Sequence, residues 1–143
     1  YQEKLEEHIK KNKGKCWVAV APVDVQLDCE NRTMVEPDVI VVCDRDKIIR
    51  RCVYGAPDFI VEVLSPSTKK KDLTIKLNKY TEAGVKEYWL VDPDAKRVMV
   101  YRFEEDVVLN IYGFDSKVPV EIFDGKCEIN FAELYEQIAF LYE

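Results

Sequence analysis

The chain has 143 residues, enough for one domain with its own hydrophobic core. Hydrophobic residues at 48% and charged residues at 34% exclude a disordered or low-complexity chain. No apolar run reaches the length of a membrane span, and a formal net charge of −6 opposes tight, nonspecific binding to a polyanion.

In chain order, residues 1–13 carry Leu5 and Ile9 at i, i+4 among charges, which predicts an amphipathic helix stopped by Gly14. Residues 16–21 and 23–27 predict one bent strand or two short ones, broken at Pro22. A polar turn spans 28–33. Pro37-Asp38 opens an uninterrupted apolar run at 39–43, the pattern of a strand covered on both faces. Residues 44–54 form a charged connection with room for one helical turn. Residues 58–64 predict a second two-sided strand, apolar within except for Glu62. Capping residues in the loop at 65–68 introduce a helix to about Ala83, with Leu73, Leu77 and Tyr80 as its buried stripe and Gly84 as its C′ residue. Buried strand 87–91, a turn at 92–95 and strand 97–103 follow. Residues 107–112 and 118–123 predict a peripheral hairpin pair, and 131–140 a short terminal helix. With no repeat or linker, the reading is a single domain over 1–143 of mixed α/β class.

The five cysteines, Cys16, Cys29, Cys43, Cys52 and Cys127, include no CxxC pair, and His8 is the only histidine, which argues against a zinc site. An odd count without framework spacing predicts unpaired thiols and a reducing, cytoplasmic compartment. The start shows no signal-peptide pattern, and Tyr1 rather than Met at its head predicts a piece of a longer protein.

Glu62 carries the chemistry. Its neighbours are Phe59, Ile60, Val61, Val63 and Leu64. An ionised carboxylate buried there costs several kcal/mol, on the order of the penalty for an unpaired charge, unless a basic side chain or a metal compensates it. A structural salt bridge is the plain alternative. Asp58 lies on the same face of the same strand, but four residues of strand span roughly 13 Å. Ligands of one Mg²⁺ each sit about 2 Å from it, so a second ligand must come from another strand. Asp38 heads one, although a turn acid after Pro37 is equally ordinary. On the following helix, Lys76 borders the buried stripe. It can pair with Asp72 at i, i+4 or lean toward Glu62 and stabilise a phosphoryl oxyanion. Lys69, Lys70 and Lys71 form either a solvated loop or a phosphate-contacting patch.

Three stretches, EPDVIVVCD at 36–44, GAPDFIVEVLSPSTKKKD at 55–72 and KLNKYTEAGVKEYWLVDP at 76–93, resemble the Uma2 family (DUF820) of bacterial proteins. The resemblance covers roughly 16–103. It implies the restriction-endonuclease-like PD-(D/E)xK core: a mixed central sheet flanked by helices. It implies a Mg²⁺-dependent hydrolase of phosphodiester bonds, with Mn²⁺ as the alternative metal and nucleic acid, DNA first, as the partner. Asp38 and Glu62 match the family's acidic positions, and the Val63 carbonyl would be a further metal ligand. The motif's usual lysine position is Leu64 here; Lys76 matches the lysine that the family supplies from the next helix. Family members usually carry an upstream segment with another acid and a helix opened by histidine. His8 does not match that histidine, so the resemblance implies truncation at the N-terminus.

Two functions follow. In one, Asp38, Glu62 and Lys76 are the catalytic residues of an endonuclease. In the other, the chain is a noncatalytic nucleic-acid- or protein-binding module; the negative charge and Leu64 favour it. The aromatic and β-branched residues between 107 and 123 also suit an edge that pairs with a second copy.

Overall fold

The computed structural model describes residues 2–11, 16–20, 25–28, 33–35, 37–48, 52–64, 70–103, 107–123 and 127–131. Among the described residues, two helices, α1 (Gln2–Lys11) and α2 (Lys70–Ala83), flank a six-stranded sheet. Its strands are β1 (Trp17–Val20), β4 (Val39–Val42), β6 (Phe59–Val63), β7 (Glu87–Asp92), β8 (Arg97–Phe103) and β9 (Val107–Gly113), side by side in that order. Only the β6–β7 pair is parallel, and α2 connects it, as a parallel crossover requires. All other neighbours are antiparallel. The sheet is therefore mixed, as expected.

The apolar runs explain which strands lie in the middle. β4 is buried at every residue, and β6 and β7 at all but their last. Alternate side chains point to opposite faces, so these strands feed two cores. Val39, Val41, Phe59, Val61, Trp89 and Val91 face one, together with Leu5 and Ile9 of α1. Ile40, Val42, Ile60, Tyr88 and Leu90 face the other, together with Tyr80 of α2 and the half-buried Leu73 and Leu77. Gly84 ends α2 at φ +94°, the left-handed conformation of a C′ residue, and its N–H returns to the Tyr80 carbonyl at 3.2 Å.

Two small sheets cover these faces. β2 (Val25–Asp28) lies between β3 (Thr33–Val35) and β5 (Val53–Tyr54), and its Val25 and Leu27 join the α2-side core. β10 (Lys117–Val120) pairs with β11 (Cys127–Asn130) on the α1 side.

Three sequence expectations change. The predicted hairpin of 107–112 with 118–123 does not form: β9 pairs with β8 as the edge of the main sheet, and β10 pairs with β11. Residues 121–123 are a 3-10 turn rather than strand. Cys16 and Cys43, expected as free thiols, are joined by a disulfide. Trp17 opposes Val42 in the β1–β4 register, so the next antiparallel pair is Cys16 with Cys43, and the bridge ties the edge strand to its neighbour. Among the described cysteines, Cys52 and Cys127 lie buried outside this disulfide. Of the terminal helix expected at 131–140, all but Phe131 lies outside the described residues.

Candidate active site

Glu62 sits one residue from the C-terminal end of β6, on the face that α2 covers. Its side chain is only 8% exposed. Burial of this charge is matched by donors rather than by distance from them. The Tyr80 hydroxyl, from α2, donates to Oε1 at 2.6 Å. The Tyr88 hydroxyl, from β7, donates to Oε2 at 2.9 Å. The Lys76 ammonium reaches both oxygens, at 3.3 and 3.4 Å. Lys76 and Tyr80 are i, i+4 on α2, so one helix face delivers both. The two phenol rings meet edge to face at 4.9 Å, which fixes their directions.

Burial pushes the phenol pKa values of Tyr80 and Tyr88 well above the ordinary tyrosine value, and the negative charge of Glu62 adds to the effect. Both therefore remain protonated donors throughout the physiological range. The charge of Asp38 acts on both phenols in the same direction.

Asp38 immediately precedes β4. Val39 opposes Val61, and the Asp38 N–H also donates to the Val61 carbonyl at 3.1 Å, which holds Asp38 against the end of β6 next to Glu62. The Asp38 carboxylate also accepts the Val63 N–H at 2.7 Å through Oδ2. In a strand the N–H and C=O of one residue point to the same side, because directly opposed residues exchange both bonds. The Val63 carbonyl thus faces the Asp38 side, while its side chain is exposed.

The structure therefore brings Asp38, Glu62, Lys76 and the Val63 main chain together. Lys76 pairs with Glu62; the side chain of Asp72, the other partner expected for it, lies outside the described set. Asp58 is kept apart, at the other end of β6. There it accepts the Cys43 N–H at 2.8 Å and pairs with Lys86 at 3.1 Å, a structural role. Of the basic run, Lys69 lies outside the described residues, and Lys70 and Lys71 are described only as the backbone that begins α2. His8 sits far along the chain in α1, its ring 4.9 Å from that of Phe123. Leu64, at the motif's usual lysine position, packs half-buried against the α2-side core.

Sequence reasoning missed two residues of this site. Tyr80 reads as part of an apolar stripe, and Tyr88 as one more residue of a buried strand. A usable signal existed: a buried acid needs buried donors, and these phenols are polar groups placed in otherwise apolar segments. A second buried acid, Glu87, lies on the opposite face of the sheet. It accepts the indole N–H of Trp89 at 2.6 Å and the Ile122 N–H at 3.0 Å. Burial nevertheless raises its pKa to about 7.

Two carboxylates and a main-chain oxygen suit a hard divalent cation, which completes its shell with water. No group of three or more His, Cys, Asp or Glu residues gathers among the described residues. Nor is any described helix long and apolar enough to cross a membrane.

Comparison with known proteins agrees with this architecture. The profile of the Uma2 family, described as "Putative restriction endonuclease", matches residues 2–130. Among solved structures, one described as a putative nuclease belonging to DUF820 from Anabaena variabilis ATCC 29413 superposes with a TM-score of 0.74. The match covers 94% of this chain and 75% of that one, at 20% identity, and so speaks to the fold. No curated protein matches the chain.

Proposed function

The chain belongs to the Uma2 family, and on that footing we propose that it is a divalent-metal-dependent endonuclease of the PD-(D/E)xK kind, hydrolysing phosphodiester bonds of nucleic acid, DNA ahead of RNA. The observation that carries this reading is that Asp38 bonds to both residues that flank Glu62, Val61 through its N–H and Val63 through its carboxylate, while Lys76 contacts Glu62 itself. Asp38, Glu62 and the Val63 carbonyl would hold Mg²⁺, with Mn²⁺ as the alternative. Such a cation supplies polarisation of the phosphodiester and a more acidic water. Lys76 brings positive charge for a phosphoryl oxygen, taking over from α2 the place that Leu64 vacates in the motif. Tyr80 and Tyr88 hold the Glu62 carboxylate in one orientation, and the Val63 N–H does the same for Asp38. Pre-set ligands of this kind lower the ordering cost of binding.

Within the same proposal, residues 1–143 are one domain, and the compartment is the cytoplasm, where DNA is at hand. The Cys16–Cys43 bridge removes the cysteine argument for that compartment, since disulfides are rare there. The exposed apolar side chains of edge strand β9, Val107, Leu109 and Ile111, support a homodimer.

One observation favours the second reading, a noncatalytic binding module. The Glu62 carboxylate already has a full set of protein donors, including a cation. Cleavage of supercoiled plasmid in Mg²⁺ separates the two. Nicking by the wild type that disappears in Glu62→Gln and Asp38→Asn supports the endonuclease. Equal nicking by all three proteins refutes it, and no nicking by the wild type under any divalent cation favours the module.

A further inference from the structure

A carboxylate offers about four lone-pair directions, two on each oxygen. At Glu62 all four are taken. Tyr80 and Tyr88 each fill one, on separate oxygens, through short bonds of 2.6 and 2.9 Å. The Lys76 ammonium fills the other two, at 3.3 and 3.4 Å. Nearly equidistant from both oxygens, it lies near the carboxylate bisector, the direction from which a cation engages both at once.

These partners differ in how readily they leave. Tyr80 and Tyr88 are buried, and a phenol drawn off the carboxylate would find no water to replace it. Lys76 makes the longest contacts, and its side chain is 43% exposed. Its flexible stem lets the ammonium swing into solvent, where it is strongly hydrated. Glu62 can therefore accept another cation only by giving up Lys76.

We propose that Lys76 is the resident counter-ion of Glu62 and is exchanged for the divalent cation, leaving the carboxylate for solvent when the cation is taken up. The inference rests on the metal-site reading above and adds its regulation. Glu62 is never a bare buried charge, because one cation replaces another. The freed ammonium becomes available to an anionic substrate only once the exchange has occurred, so metal uptake precedes phosphate capture by Lys76.

Calorimetric titration of the chain with Mg²⁺ and Mn²⁺ tests the exchange, using Lys76→Met, Lys76→Gln and Lys76→Arg beside the wild type. Circular dichroism confirms that each variant is folded, and Gln stands in if Met perturbs α2. Exchange predicts that Lys76→Met binds about two- to fivefold more tightly, because no ion pair has to be broken. It also predicts that Lys76→Arg binds about threefold or more weakly than wild type, because a planar guanidinium grips a carboxylate through two parallel bonds. Metal bound by Lys76→Met but not by the wild type is the same result in stronger form. If Lys76→Arg equals wild type while Lys76→Met binds more tightly, charge alone is at work and the exchange is wrong. If all the lysine variants equal wild type, and binding is lost in Asp38→Asn, the metal site stands and the exchange falls. If no protein in the set binds either metal, the metal-site reading itself is overturned.

Discussion

Glu87 gives a pH dependence that can be worked through. It is almost fully buried, opposes Arg102 in the β7–β8 register, and has the Glu121 carboxylate near it, which pairs with Arg102 at 3.7 Å. Burial raises its pKa from 4.5 to about 7; the N–H bonds from Trp89 and Ile122 pull the other way without cancelling it. Between these values the folded chain holds a proton that the unfolded chain has released. Stability from this group is thus fully present below pH 4.5 and is lost as pH rises through 7. At about 1.4 kcal/mol per pH unit, the full span is about 3 kcal/mol, of which roughly 2 to 3 kcal/mol falls between pH 5 and 8. Glu87→Gln removes the titration. It also leaves one N–H donor without an acceptor, because an amide has one oxygen where the carboxylate has two, but that cost does not vary with pH. The unfolding free energy of Glu87→Gln minus that of wild type should therefore rise by roughly 2 to 3 kcal/mol from pH 5 to pH 8. Urea denaturation of both proteins at the two pH values measures it. A difference that stays flat, or moves the other way, refutes the assignment of this titration to Glu87.

The remaining predictions concern the site and the sheet edge. Tyr80→Phe keeps the ring and removes one donor from a buried carboxylate, so it should lower stability by about 1.5 to 3 kcal/mol, with Tyr88→Phe following in the same range. Denaturant midpoints at constant slope check this, and losses below about 0.5 kcal/mol would mean that water replaces the phenols at Glu62. Ile111 is 58% exposed on edge strand β9. If β9 pairs two copies, light scattering should give twice the monomer mass for wild type and the monomer mass for Ile111→Lys; a monomeric wild type removes the dimer.

The parts of the fold legible in the sequence were those where one rule acted alone. Uninterrupted apolar runs marked β4, β6 and β7, because only strands covered on both faces carry them. Turn chemistry at 92–95 placed the β7–β8 hairpin, and there the Asp92 side chain accepts the Ala95 N–H at 3.1 Å. Pairing partners were less legible. The period-2 alternation in β9 and β10 says that each is a strand, not which neighbour it takes. β9 found β8 and β10 found β11. Strands β3 and β5 are only three and two residues long, below what any periodicity can register. The Cys16–Cys43 bridge depends on the register of β1 against β4, which no spacing rule supplies. At the site, the strand-spacing argument kept Asp58 out and left Asp38 as the candidate, and the helix-face argument left Lys76 between Asp72 and Glu62, where the structure shows the Glu62 contact. The phenols escaped because a hydroxyl at the end of an apolar ring does not disturb the apolar pattern.

The sheet buries two glutamates on opposite faces, and their donors separate what each can do. Glu87 receives two neutral N–H groups, one from an indole packed in the α1-side core and one from the backbone. Neither can move away without unpacking the core or opening the turn at 121–123. Glu62 receives two phenols that are similarly fixed and one ammonium that is not. Its position near the end of β6, beside Asp38, also places it at the C-terminal edge of the parallel β6–β7 pair, where open α/β sheets bind their ligands. Burial alone therefore does not identify a working carboxylate. Under the proposed function, Glu62 is the better candidate because one of its partners is a half-exposed cation and because Asp38 bonds to the residues on either side of it.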